Sequence, residues 1–235
     1  MSAALESILE QHPVWRGGAV ACAAPAVPSG FASLDRELPG GGWPAGALTE
    51  ILGERAGIGE LQLLLPGLAA LSWAGKRIVW LAPPHLPYAP ALAAAGVDLA
   101  HVAVVRAPGR RDALWAAEQV LRAASCHALL AWFPSARYEE LRRLAVAAEA
   151  GRAWVALFRP LQAAQESSPA ALRIALEPDG DALCLRILKR RGAPAAAPLH
   201  LPVKRPVHAL GRNSFPAPAA GHARDDRRLG VPVHA

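Results

Sequence analysis

Cysteine is scarce in this sequence, and its few thiols follow no ligand pattern. The three cysteines, Cys22, Cys126 and Cys184, are far apart and form no C-x-x-C pair. Isolated thiols in odd number exclude a disulfide framework and are typical of a reducing cytoplasm. The eight histidines show no H-x-x-x-H spacing. We therefore expect neither disulfides nor a metal site.

Long apolar runs are also missing. The chain is 53% hydrophobic, which is enough for a buried core. No predominantly apolar run reaches the roughly 18 residues that are needed to cross a bilayer. The first residues, Met1 to Glu6, have neither the basic segment nor the apolar core of a signal peptide. We expect a cytoplasmic protein.

Charge is distributed unevenly along the chain. Residues 1–185 hold 15 basic and 17 acidic residues, whereas residues 186–235 hold 10 basic and 2 acidic ones. The cationic end predicts an acidic partner, either nucleic acid or an acidic protein surface; a solvated linker is the alternative. The candidate contact residues are Arg186, Lys189, Arg190, Arg191, Lys204 and Arg205. Contacts with DNA phosphates would be weak, non-specific and sensitive to salt.

Short apolar strands alternate with helical segments, which predicts a mostly parallel sheet covered on both faces. Alternating residues around an Asp-Gly turn then predict an antiparallel hairpin at 171–189. A helical stripe at 3–11 belongs to an N-terminal helix and linker, 1–27, ahead of a core at 28–191 and a flexible Pro/Ala-rich tail at 192–235. The strands are predicted at 48–52, 77–82, 101–105, 128–133 and 153–158, and the helices at 60–65, 89–95, 112–124 and 138–150.

The segment 53–60, GERAGIGE, lies between a predicted strand and a predicted helix, where a nucleotide-binding loop would lie. A working loop, G-x-x-x-x-G-K-[ST], needs a lysine for the phosphates and a hydroxyl for Mg²⁺. Gly59 and Glu60 occupy those two positions here. The candidate loop residues are therefore Gly53, Gly57, Gly59 and Glu60, and they form a degenerate P-loop. The Glu60 carboxylate favours the helix start through the helix dipole, in the place of a phosphate.

Two motifs ahead of this loop resemble the RecA/RadA recombinase core. They are Ser29–Asp35, of the form G-x-x-x-L-D, and Gly40–Gly46, GGGWPAG. Within that superfamily the chain is most similar to the ImuA family, from about Pro28 to about Arg191. The resemblance implies a RecA-like three-layer αβα core, whose mostly parallel sheet is extended by the C-terminal antiparallel hairpin.

The residues that a RecA-like ATPase requires are absent from their expected positions. Strand 128–133 should end in an acid that holds Mg²⁺, but no carboxylate lies between Glu118 and Glu139. Strand 77–82 should lead to a glutamate that activates water. The chain has His85 among prolines there. We expect no catalytic residue, no cofactor and no enzyme activity.

The ImuA resemblance implies a non-catalytic adaptor of damage-induced (SOS) translesion DNA synthesis, which would associate with the nucleoid. The implied partners are an ImuB-like Y-family polymerase homologue, an error-prone replicative-type DNA polymerase and RecA. Two alternatives remain open. One is a SulA-like inhibitor of cell division, which is another reduced RecA-like protein; the basic tail and the full βαβ core favour ImuA over it. The other is a residual nucleotide-binding protein or weak ATPase.

Overall fold

A computed structural model describes residues 25–180, 182–192 and 197–203. The predicted helix at 3–11 and the candidate cations Lys204 and Arg205 lie outside the described residues, as does most of the predicted tail.

The strands alternate with helices along the chain. The strands are β1 Ala26–Val27, β2 Trp43–Pro44, β3 Ala47–Gly53, β4 Ile78–Leu81, β5 Val102–Val105, β6 Ala128–Trp132, β7 Trp154–Pro160, β8 Leu172–Asp179, β9 Ala182–Lys189 and β10 Leu199–Pro202. The helices are α1 Ala32–Glu37, α2 Glu60–Trp73, α3 Ala89–Ala94, α4 Arg110–Arg122 and α5 Tyr138–Gly151, with 3-10 turns at Leu99–His101 and Leu161–Gln165.

Eight of the strands form one sheet, in the order β10-β9-β8-β3-β7-β6-β4-β5. The six strands from β8 to β5 run parallel, and β9 and β10 are antiparallel to their neighbours. The central strands β3 and β7 are almost wholly buried, because helices cover both faces of the sheet. β1 and β2 form a separate two-stranded ribbon.

The two sheet faces carry separate apolar cores. On one face, α2 and α3 pack Leu63, Leu64, Leu68 and Leu92 against the sheet. On the other face, α4 and α5 pack against the sheet through apolar residues that include Leu114. Helix α2, which residues 60–65 were predicted to open, continues through Pro66 to Trp73, because its apolar face remains buried throughout.

Strand β10 was not predicted, because the short alternation Leu199-His200-Leu201-Pro202-Val203 was missed in a segment rich in proline and alanine. It pairs antiparallel with β9 over Leu199–Pro202, inside the segment that was predicted to be a flexible tail. Leu201 is fully buried in the core and supplies the apolar contact that holds the strand.

The first motif that suggested a recombinase joins the two strands of the ribbon, and the second contains β2 and leads into β3. The Ser29 N–H donates to Asp35 Oδ1 at 2.9 Å, which closes a turn around α1. A Cβ on Gly42 would lie 2.3 Å from the carbonyl oxygen of Val27, so only glycine fits there. Leu34 is completely buried. The residues of the two motifs therefore serve local turns and packing in this fold.

A buried ion network lies across β8, β3 and β7. Glu50 accepts hydrogen bonds from Arg159 Nη1 at 2.9 Å and from Arg173 Nε at 2.5 Å. The Glu50 side chain is completely buried, and both arginines are nearly so. Arg173 also donates to carbonyl groups of the 3-10 turn that follows β7, and Arg159 donates to Glu166 Oε2 at 2.7 Å. The network thus joins three strands to the connection after β7.

Replacing Glu50 by alanine leaves two buried guanidinium groups without their shared carboxylate. We expect Glu50→Ala to lower the free energy of unfolding by about 3–5 kcal/mol, which urea denaturation would measure. Glu177→Ala is the matched control, because Glu177 pairs with Arg186 at 3.0 Å on the exposed hairpin. Its loss should cost at most about 1 kcal/mol. Equal effects of the two substitutions would contradict a central role for the network.

Candidate functional site

The loop between β3 and α2 turns sharply at two glycines. Gly57 has φ 82° and Gly59 has φ 112°, in the left-handed region that favours glycine. Their backbone N–H groups converge on one side chain. The Glu60 carboxylate accepts from Gly57 N–H at 2.8 Å and from Gly59 N–H at 3.1 Å.

Glu60 therefore occupies the position where these amides would hold a phosphate. The residue is 9% exposed, at the first position of α2, where the helix dipole favours negative charge. A phosphate bound by these amides would have to displace the Glu60 carboxylate or lie within hydrogen-bond distance of its negative charge. The sequence predicts that the Glu60 carboxylate favours the helix start, and in the structure the Gly57 and Gly59 amides are its hydrogen-bond partners. Gly53 ends the strand that leads into the loop.

A cleft of about 280 Å³ opens beside this loop, at the carboxyl end of the parallel strands. Its apolar wall includes Trp132 and Phe158, whose rings stack with centroids 4.6 Å apart. The ring of Trp80 packs against that of Trp132, with the ring centroids 5.7 Å apart. Arg159 also lines the cleft, with its guanidinium already engaged by Glu50 and Glu166. The cleft suits an apolar contact better than a triphosphate.

The two strand ends where an ATPase would carry its acids have no carboxylate here. β6 ends in the aromatic Trp132, and His85 is exposed in the loop after β4. Among the described residues no group of three or more His, Cys, Asp or Glu side chains could hold a metal ion. Burial raises the pKa of the Cys126 thiol to about 11, so this cysteine is a core residue and not a nucleophile.

The candidate cations of the hairpin lie away from the loop. Lys189 pairs in register with Arg173 near the start of β8, at the amino end of the parallel strands. The 53–60 loop lies at their carboxyl end. The structure therefore does not combine the two sets of candidates into one site.

Most of these cations already have partners. Arg186 pairs with Glu177 at 3.0 Å, Lys189 donates to Ser168 O at 2.8 Å, and Arg190 pairs with Glu37 at 2.7 Å. A pocket of about 500 Å³ brings Arg190 and Arg191 together with Arg152 and Glu149. Sequence reasoning missed Arg152, because only the fold brings the end of α5 beside the hairpin.

No helix in the described part of the chain is long and apolar enough to span a membrane.

Comparison with known proteins finds that part of this chain is similar to an inhibitor of cell division. Residues 46–155 match the family described as "Cell division inhibitor SulA". The chain is 35% identical over 101 residues to the cell division inhibitor SulA of Edwardsiella piscicida, a match that covers 43% of this chain. The chain thus spans 60% of the length of that relative.

A solved structure of the same name also matches. The crystal structure of SulA from Pseudomonas aeruginosa aligns with a TM-score of 0.42 and 25% identity, over 50% of this chain and 99% of that chain. The family and the relative are both named as inhibitors, and neither name describes a catalyst.

These matches correct four predictions from the sequence. The identification as ImuA is wrong, and so is the assignment to a RecA-like fold class, because the matching family is SulA. The predicted role as an adaptor of translesion DNA synthesis is wrong for the same reason, and so are the polymerase and RecA partners. The motifs that misled the assignment lie at 29–46, ahead of or at the edge of the matched segment. The glycines and the aspartate of these motifs form local turns, and unrelated α/β proteins contain similar turns.

The loop geometry makes a prediction about stability. Glu60→Ala leaves the Gly57 and Gly59 amides without their acceptor, so we expect the free energy of unfolding to fall by about 1–3 kcal/mol. Glu54→Ala is the control, because Glu54 is an exposed carboxylate of the same loop. Thermal and urea unfolding of both variants would measure the difference. A Glu60→Ala protein as stable as the Glu54→Ala control would show that the carboxylate is dispensable.

Proposed function

We propose that this protein inhibits bacterial cell division, as a SulA-like inhibitor that binds a component of the division machinery. The observation that carries the proposal is the match of residues 46–155 to the SulA family. That segment extends from the edge of β3 to the start of β7 and includes helices α2 to α5. It therefore contains both packed faces of the sheet.

Inhibition of this kind is binding, not catalysis. The Glu60 carboxylate favours this interpretation, because it already occupies the Gly57 and Gly59 amides. An inhibitor of this type would meet its target in the cytoplasm, and induction in the SOS response fits the same role. The cations Arg186, Lys189, Arg190 and Arg191 stay candidates for an acidic partner surface.

The helical layer formed by α2 and α3 offers the best contact surface for such a target. Trp73, at the end of α2, is 75% exposed, yet its indole N–H donates to Gly96 O at 2.8 Å. The hydrogen bond holds the ring in place before any partner binds. Tyr88, at the start of α3, is 72% exposed. Large aromatic side chains that are already ordered are typical of binding hot spots.

Induced expression of the full chain in a rod-shaped bacterium tests the proposal. We expect long cells without septa that keep growing and replicating DNA, because only division is blocked. Cell length and septum counts by microscopy measure the effect. Normal division at confirmed expression, together with a change in damage-induced mutation frequency, would contradict the proposal.

Two tryptophans provide a matched pair for locating the contact surface. Trp73→Ala should remove an anchor worth about 2 kcal/mol or more of binding and so restore division. Trp115→Ala should leave filamentation intact, since Trp115 is 65% exposed on α4, across the sheet. Thermal unfolding of both variants would check that each stays folded. Equal filamentation by both variants would exclude the α2–α3 layer.

A further inference from the structure

A pocket of about 500 Å³ lies at the amino end of the parallel strands, where Ala47 begins β3 and Leu172 begins β8. Its volume is within the range of roughly 300–1,000 Å³ that is usual for small-molecule sites. The lining is mostly apolar and includes three prolines, Pro25, Pro39 and Pro44, together with a few charged side chains. An apolar wall with a small number of placed polar groups is the usual composition of a ligand site.

Backbone hydrogen bonds hold the walls of this pocket in place. The Ala45 N–H donates to the Pro25 carbonyl oxygen at 2.9 Å, and the Gly46 N–H donates to the Ala153 carbonyl oxygen at 3.1 Å. On the β8 side the Ala171 N–H donates to a carbonyl oxygen of β3 at 3.0 Å. A ligand would therefore enter a pocket that is already formed, which lowers the entropy that is lost on binding.

Two cations on the pocket wall are available to a ligand. Arg152 follows α5 and Arg191 follows β9, both are exposed, and neither has an ion-pair partner among the described residues. The adjacent Arg190 is already paired with Glu37 at 2.7 Å. The donor fork of a guanidinium group matches the oxygens of a phosphate. Two such groups favour a phosphate monoester, which carries close to two negative charges at neutral pH, over a singly charged carboxylate.

Arg152 has a backbone conformation that is unfavourable for its residue type. It lies at φ 52° and ψ 28°, in the left-handed region, directly after the last residue of α5. Glycine is the usual residue in this conformation at the end of a helix. The arginine is therefore strained relative to glycine, and its side chain adds a cation to the pocket wall. Strained residues of this kind cluster at ligand sites.

Glu149 also lines the pocket, one turn before Arg152 on α5. The two side chains form no ion pair with each other in the described structure, so the Glu149 carboxylate can accept hydrogen bonds from a ligand. A carboxylate is a strong acceptor for hydroxyl groups but repels a phosphate. It therefore favours a ligand whose phosphate is attached to a part that carries hydroxyl groups.

We propose that this pocket binds a small phosphate monoester with a hydroxylated ring, such as a nucleoside monophosphate or a sugar phosphate. Arg152 and Arg191 hold the phosphate, Glu149 accepts from the hydroxyl groups, and the proline wall contacts the ring. Arg191 and the three prolines lie outside the segment 46–155 that matches the SulA family. The proposal therefore does not rest on inhibition of cell division.

Isothermal titration calorimetry of the full chain tests the proposal with AMP, glucose 6-phosphate and inorganic phosphate. We expect one of the two esters to bind at one site per chain, about tenfold or more tightly than inorganic phosphate, and its identity separates the two sources of the ester. Arg152→Gly and Arg191→Ala should each weaken this binding about tenfold or more, because each removes charge-assisted hydrogen bonds. Arg152→Gly should unfold at the wild-type temperature or above it, since glycine suits that conformation.

Two control variants separate this pocket from other cationic surfaces. Arg142→Ala removes an exposed cation from the same helix, and Arg55→Ala removes the exposed cation of the 53–60 loop. Both should bind the ester as the wild type does. The proposal is overturned if neither ester binds more tightly than inorganic phosphate, or if Arg152→Gly binds like the wild type. Equal losses of affinity in Arg152→Gly and in either control would overturn it as well.

Discussion

A single carboxylate, Glu50, holds together the centre of the sheet. It lies on β3, the strand between β7 and β8, and it forms an ion pair with one arginine from each. The same arginines reach the connection after β7 through Glu166 and nearby carbonyl groups. Burying three charges is costly, and only the complete set of partners offsets that cost. The network therefore fixes how β7, β8 and their connection meet, and with them one wall of the cleft.

A second internal carboxylate, Glu60, closes the loop beside that cleft. Both sites follow one physical rule, because a charge inside the protein is satisfied by groups of the protein itself. The Gly57 and Gly59 amides are directed at Glu60, and Arg159 is directed at Glu50. The groups still available to a partner include Trp73, which is the most exposed large apolar residue among those described, and exposed cations such as Arg191. Such groups fit the proposed binding function.

The strands of the parallel sheet and the hairpin around Asp179 and Gly180 could be predicted because apolar runs and an Asp-Gly turn are local signals. The Glu50 network could not, since its members are 109 and 123 residues apart in sequence and pair only through sheet order. Strand β10 has only a short alternation, Leu-His-Leu-Pro, in a segment rich in proline and alanine, and it depends on the burial of Leu201. The recombinase assignment failed because turn motifs report local backbone needs, which many families share.

The most direct test of a binding inhibitor is a titration of the purified, polymer-forming protein of the division ring with this chain. Polymer would be measured by sedimentation, with and without added ATP. We expect polymer to fall in proportion to the added chain, to reach its minimum near a fixed molar ratio and to be indifferent to ATP. Undiminished polymer at saturating chain, or a loss that requires ATP turnover at far lower amounts, would contradict the proposed function.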